Sequence, residues 1–132
     1  MRFMLLMNSP RDGYEAYLAW PKKVLEANLA FMERFTKKLR ATGELVLTEG
    51  LASPKQAKLV RAGKDGKPIT DGIFPESKEF LAGWWIVDVE SRERAYEIAA
   101  EASTAPGVGG GSLPDALWIE VREVLSGHAD LK

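Results

Sequence analysis

The hydrophobic positions between residues 21 and 42 repeat with the period of an α-helix. Pro21 suits the first turn of a helix, where the N–H that proline lacks would have no partner. At 100° per residue the apolar side chains fall within an arc of roughly 160°, and the charged side chains lie opposite. The apolar set is Val24, Leu25, Leu29, Phe31, Met32, Phe35 and Leu39. Gly43 follows as a helix-terminating glycine would, so the pattern predicts a helix over this segment.

Asn28 interrupts that apolar arc near its middle. A buried amide must find hydrogen-bond partners. We expect it to bond to a carbonyl group at the end of a strand.

The other apolar segments are shorter and predict strands, because they are bounded by turn residues and rich in branched or aromatic side chains. They cover residues 2–8, 44–51, 56–62, 82–89 and 116–124. Ser91 is a candidate cap for a second helix that runs to about residue 103. Turn signals such as Asp12-Gly13 and Asp65-Gly66, and a loop over residues 104–114, separate the elements. This order predicts an α+β fold, a ferredoxin-like antiparallel sheet with two helices on one face.

The predicted sheet has apolar side chains on both faces, whereas two helices cover only one. Strand side chains alternate between faces, and the aliphatic sets suit the helix side. The opposite face mixes apolar and charged residues: Met4, Leu6, Trp84, Ile86, Asp88, Trp118, Glu120 and Arg122. A bare patch of this kind is typical of an interaction site. A second copy of the chain is the simplest cover, which predicts a homodimer; the segment 63–80 folding over the face of a monomer is the alternative.

Composition narrows the function classes. The 132 residues predict a single domain over residues 1–125 and a polar tail over 126–132. With 18 basic and 19 acidic residues the net charge is −1, so no field favours nucleic acid or an anionic membrane. The absence of cysteine excludes disulfides and thiolate chemistry, and no metal or cofactor site is predicted. The apolar run 3–7 is too short for a signal peptide or a membrane span, which predicts a cytoplasmic protein.

The segment 71–79 concentrates charged side chains directly before a buried strand. Glu76 and Glu79 share a face if this segment makes a helical turn, and paired carboxylates can divide acid and base roles between them. These two residues and Asp71 are the catalytic candidates. A solvated turn, with Asp71 accepting its own backbone N–H groups, is the alternative. The predicted ligand-binding residues are Arg61, Phe74, Lys78, Trp84, Asp88, Trp118 and Arg122. Ion pairs of Asp88 or Glu120 with Arg61 or Arg122 are an alternative on the mixed face.

The stretch DGIFPESKE, residues 71–79, resembles the DGPF motif of the YCII-related family, close to D-G-P-F-x-E-[ST]-K-E, with Ile73 in place of proline. The similarity extends through LRATGELVLTEGLASPKQAKLVR, LAGWWIVDVESRERAYEIAAEA and WIEVREV, and so over most of residues 1–124. It implies ferredoxin-like subunits that pair as a dimeric α+β barrel. It implies no settled activity: such proteins are often associated with bacterial sigma factors, and fold relatives include small isomerases, monooxygenases and decarboxylases. This chain lacks the His-Asp pair of shorter YCII-type members, because its one histidine is His128 in the tail.

Two hypotheses of function follow, and the sequence leaves open whether the protein is an enzyme. In the first, a small molecule binds between the mixed sheet face and segment 71–79. Arg61 or Arg122 would hold an anionic group, and Glu76 or Glu79 would transfer protons. In the second, the protein is a non-enzymatic dimeric module that acts beside a sigma factor or another transcription regulator.

Overall fold

The computed structural model describes residues 1–72, 78–107 and 117–125 of the chain. In chain order, with β for strands and α for helices, the elements are β1 Arg2–Ser9, α1 Gly13–Leu18, α2 Lys22–Ala41, β2 Leu45–Gly50, β3 Lys58–Ala62, β4 Pro68–Gly72, β5 Phe80–Asp88, α3 Arg92–Ala102 and β6 Ile119–Glu123. A short 3₁₀ turn, Pro54–Gln56, lies between β2 and β3.

Four strands form one antiparallel sheet in the order β2-β5-β1-β6. The two central strands, β1 and β5, pair from Arg2 with Asp88 to Ser9 with Phe80, with an irregularity between Met7 and Asn8. Two β-α-β units, β1-α2-β2 and β5-α3-β6, therefore interleave their strands in one sheet. The predicted α+β architecture with an antiparallel sheet is confirmed.

Two local predictions are wrong. Helix α1 occupies a segment where the Asp12-Gly13 signal predicted only a loop; it buries none of its residues, so it leaves no apolar stripe in the sequence. The pair Asp71-Gly72 is also a turn signal in the sequence, but both residues lie in β4, which pairs with β3 in a separate two-stranded sheet. All ten residues of this hairpin's strands are exposed, and the alternation that marks a half-buried strand is therefore missing.

The core lies between α2, α3 and one face of the main sheet. Phe3, Leu5 and Val87 are fully buried there, as the alternation of strand side chains predicts. Phe35 of α2 meets Trp85 edge-on, with 5.6 Å between ring centroids, an arrangement that the opposed charge distributions of ring edge and face favour. Small residues of α3 complete the contact: Ala95, Ala99 and Ala102. Their size lets α3 lie close to the sheet.

The end of α2 positions an ion pair. Gly43 has φ +78°, which a Cβ would disfavour, and the Glu44 N–H bonds back to the Leu39 carbonyl at 3.0 Å. The Glu44 carboxylate then accepts two hydrogen bonds from the Arg94 guanidinium of α3, each 2.8 Å. The Arg94 fork is the main reason that the pKa of Glu44 lies below its ordinary value. This bidentate pair ties the start of β2 to α3.

Replacing Glu44 by glutamine is expected to lower the free energy of unfolding at neutral pH by on the order of 1 kcal/mol, a value reduced by solvent screening of the partly exposed Arg94. The pKa of Glu44 is lower in the folded protein than in the unfolded chain. The contribution of Glu44 to the free energy of unfolding is therefore fully present above about pH 5 and is lost as the pH falls through the pKa of the folded protein. Urea denaturation of both proteins as a function of pH measures the difference, which should vanish in acid.

Glu97→Gln is the matched control, since Glu97 contacts the same guanidinium at 3.4 Å from a mostly exposed position. It should change stability by a few tenths of a kcal/mol at most. Equal losses in the two variants, or a Glu44→Gln loss that persists in acid, would contradict the assigned role of the pair.

Candidate functional site

At one end of the molecule a cavity of about 470 Å³ separates the helices from the sheet. It is bounded by the last residues of β1 and β2, the first half of β5, and helices α1 and α2. The sheet side chains explain the space: Gly50, Ala82 and Gly83 line this end, whereas large side chains such as Phe3 and Leu5 fill the core. The volume lies within the range of about 300–1,000 Å³ that is usual for small-molecule sites.

Aromatic side chains form much of the cavity wall. Tyr14 and Tyr17 come from α1, Trp20 from the α1–α2 connection, and Trp85 from β5. Tyr17 and Trp20 meet edge to face with 5.1 Å between centroids. Burial raises the pKa of the Tyr17 hydroxyl, so this group stays neutral at physiological pH.

A glycine lets the loop after α3 approach Trp20. A Cβ on Gly107 would come within 2.9 Å of the Trp20 ring, closer than side-chain carbons approach one another. The indole and the Gly107 backbone therefore pack directly together at the edge of the cavity.

Helix α2 contributes a stripe at intervals of four residues: Asn28, Met32 and Thr36. Asn28 is 7% exposed, and its Nδ2 donates to the Pro106 carbonyl oxygen at 2.8 Å. The partner of this buried amide is thus in the loop that follows α3, rather than at a strand end as expected. The hydrogen bond holds that loop against α2 and fixes the orientation of the amide.

Glu15 links α1 to the segment between β2 and β3. The buried Ser53 hydroxyl donates to Glu15 Oε1 at 2.7 Å, and Lys55 Nζ lies 3.8 Å from the same oxygen. The Ser53 hydrogen bond is the main cause that lowers the pKa of Glu15. Glu15 Oε2 is buried with no hydrogen-bond partner among the described residues. Since Tyr14 and Pro54 line the cavity, this contact joins two of its walls.

The cavity is nearly free of charge. Of the lining residues in the described part of the chain, Glu49 alone carries an ionisable acidic or basic side chain other than tyrosine. The remaining polar groups are neutral: Asn8, Ser9, Asn28, Thr36 and Thr48, with the two tyrosines. Such a wall suits an uncharged, largely apolar molecule.

The sheet face opposite the helices, which we call the outer face, carries two straight rows across the four strands. The first row is Glu49, Trp84, Leu6 and Glu120; the second is Leu47, Ile86, Met4 and Arg122. The central residues of both rows are half-buried, and Leu47 is 46% exposed. Carboxylates therefore flank an apolar centre, with one arginine at the end of the second row.

Four residues predicted from the sequence belong to this face or lie beside it. Trp84 and Arg122 lie in the two rows, and Trp84 also borders the cavity. Asp88 lies 3.2 Å from the amino group of Met1, and so pairs with the chain terminus instead of Arg61 or Arg122. Trp118 is 97% exposed. The indole Nε1 of Trp84 is buried with no partner in the described part of the chain.

The other predicted residues that the structure describes are not part of the cavity lining. Arg61 of β3 and Asp71 of β4 occupy the same side of the exposed hairpin. Asp71 accepts the N–H of Gly72 at 2.8 Å, which is the structural role given above as its alternative. Lys78 and Glu79 are exposed in front of β5, and the two remaining candidates, Phe74 and Glu76, lie outside the described residues. A site built from the segment 71–79 stays a prediction.

The described residues contain no group of three or more His, Asp or Glu side chains that could hold a metal ion. No helix among them is long and apolar enough to cross a membrane.

Sequence reasoning missed most of the cavity lining. Asn28 stood out as a polar residue in an apolar arc, but the Asn28, Met32 and Thr36 spacing was not connected with a site. The small residues where β2 ends and β5 begins, Gly50 and Ala82-Gly83, are the signal that could have located the space.

Comparison with known proteins gives a family and no closer relative. No curated protein matches the chain. The family model for the YCII-related domain matches residues 1–110, from β1 through α3 and into the loop that follows it. The match identifies the family but not the DGPF subgroup, which stays a prediction. Because it covers more than half of the sequence, the chain belongs to the YCII-related family.

Proposed function

We propose that this protein binds a small, neutral, largely aromatic molecule in the cavity between α2 and the sheet. The observation that carries the proposal is the cavity itself, about 470 Å³ and walled mainly by aromatic and aliphatic side chains. Protein interiors are packed as densely as organic crystals and hold few voids larger than a water molecule. A space of this size at the end of a well-packed core is therefore typical of a ligand site.

The lining favours a flat ligand. Tyr14, Tyr17, Trp20 and Trp85 offer ring faces and edges against which an aromatic ligand can pack at centroid distances of about 4.5–7 Å. Met32 supplies a flexible thioether that adapts to irregular ligand shapes. Apolar burial would then supply most of the affinity, and the few polar groups would set orientation.

Binding is better supported than catalysis. The described part of the lining has no lysine, arginine or histidine, and its one acidic residue, Glu49, carries its side chain on the outer face. Acid–base catalysis by Glu76, Glu79 or Asp71 would need the segment 71–79 to reach a ligand. Arg122 lies on the outer face and Arg61 on the exposed hairpin, so the hypothesis of an anionic ligand anchored by one of them does not apply to this cavity.

The outer face supports a second proposal, that two ferredoxin-like subunits pair through their sheets as a dimeric α+β barrel. Its apolar centre of Met4, Leu6, Trp84 and Ile86 lies on the side away from both long helices. Two-fold pairing would bury this centre. The same surface supports the alternative function, a dimeric interaction module, in which an acidic-rimmed apolar face contacts a regulatory protein.

The cavity proposal predicts binding of Prodan, a neutral naphthalene ketone whose emission shifts to the blue in apolar surroundings. A ligand of this size should bind with a Kd on the order of 0.1 mM. In Met32→Trp the larger ring occupies the cavity, so affinity should fall by about tenfold or more. Fluorescence titration measures both values.

Leu29→Trp is the matched control, because Leu29 lies on the same helix and is more than half exposed. It should bind Prodan as the wild-type protein does. Circular dichroism melts confirm that both variants are folded. Absence of a blue shift with the wild type, or equal affinities for wild type and Met32→Trp, would refute the cavity as the site.

The assembly proposal predicts a dimer at micromolar concentration that Ile86→Glu dissociates. Ile86 lies in the centre of the outer face, so its replacement would place an unpaired carboxylate in the interface, at a cost of about 3–5 kcal/mol. Val60→Glu, on the exposed hairpin, is the control and should leave the dimer intact. Sedimentation velocity distinguishes the species, and a monomeric wild-type chain would exclude this pairing.

A further inference from the structure

The orientation of the Asn28 amide limits what the cavity can bind. A carbonyl oxygen only accepts hydrogen bonds, so the Asn28 atom that faces the Pro106 carbonyl must be the nitrogen, Nδ2. The amide oxygen, Oδ1, then lies on the opposite side of the planar group. Among the described residues no group donates to this oxygen, although Asn28 is buried and lines the cavity.

Two hydroxyl groups of other lining residues already donate their single hydrogen to the protein. Thr48 Oγ1 donates its hydrogen to the Trp84 carbonyl at 2.9 Å. Ser9 Oγ donates to the Pro10 carbonyl at 3.4 Å. A hydroxyl has one hydrogen, so each oxygen is left with acceptor capacity alone.

The wall offers no positive charge to a ligand. No cationic side chain is found among the described lining residues, and the one acidic residue there, Glu49, carries its side chain on the outer face. An anionic group would therefore lose its hydration without gaining an ionic partner.

We infer that the ligand is a neutral aromatic molecule with an O–H or N–H group that donates to Asn28 Oδ1. This inference rests on the proposed function, since it concerns the same cavity. A ligand without a donor would displace water from Oδ1 and leave that acceptor unpaired, which lowers affinity. A carboxylate ligand would find no cationic side chain among the described lining residues and would also lack a donor for Asn28 Oδ1.

The test compares β-naphthol with its methyl ether, in the wild-type protein and in Asn28→Leu, a variant of similar side-chain volume. Both ligands fill the same space, but only the naphthol has a hydrogen to donate. The wild type should prefer the naphthol over the ether, and Asn28→Leu should lose this preference. The ratio of the ether Kd to the naphthol Kd should therefore be about three- to tenfold smaller in the variant, which is the effect of one hydrogen bond. Any loosening of the Pro106 loop affects both ligands and cancels in the ratio.

A second measurement uses the wild-type protein alone, in case Asn28→Leu does not fold. In nuclear magnetic resonance titrations the side-chain amide signals of Asn28 should shift more with β-naphthol than with the ether. β-Naphthoate, which is charged at neutral pH, should bind most weakly of the three.

The outcomes separate the two proposals. Suppose that Prodan, β-naphthol and the ether all bind. If the ratio of the ether Kd to the naphthol Kd is then the same in Asn28→Leu as in the wild type, or if the two naphthalene ligands shift the Asn28 amide signals of the wild type equally, the inference is overturned and the proposed function stands. Strongest binding by β-naphthoate overturns it as well. Failure of all four molecules to bind the wild type refutes the proposed function and the inference with it.

Discussion

The packing of α2 and α3 on the Phe3, Leu5 and Val87 face of the sheet is the contact on which the other features of the structure depend. It sets the separation of the two layers where large strand side chains meet Phe35 and the alanines of α3. Where Gly50, Ala82 and Gly83 replace large side chains, the same rigid layers leave a space between them. The cavity therefore follows from a decrease in side-chain size along the sheet.

Short connections close the walls of that space. Asn28 holds the loop after α3 through Pro106, and Ser53 holds α1 through Glu15. Both contacts join segments far apart in the sequence through a buried polar side chain, Asn28 in one case and Ser53 in the other. Breaking either one would leave a buried group without its partner, which is costly, so the walls are well defined although α1 buries no residue of its own.

The elements that face the core could be predicted from the sequence, because burial imposes a period on them. The apolar arc and Gly43 located α2, and Ser91 does cap α3 by accepting the Arg94 N–H at 3.1 Å. Burial imposes no period on α1 or on the exposed hairpin, so α1 and β4 were missed, whereas β3 was predicted from the turn residues that bound it. The site was harder still: the Trp84 face was recognised as apolar, but a cavity depends on the distance between layers. That distance is set by residues far apart in the chain, such as Met32 and Gly83, so the small residues of β2 and β5 can indicate where the space lies but not how large it is.

The most direct test of ligand binding in the cavity uses the four methionines of the chain as reporters. Met7 and Met32 line the cavity, whereas Met4 lies on the outer face and Met1 beside Asp88. Nuclear Overhauser contacts can be recorded between bound Prodan and isotope-labelled methionine methyl groups. Binding in the cavity predicts contacts to Met7 and Met32 and none to Met1 or Met4. Contacts to Met4 alone would place the ligand on the outer face and contradict it.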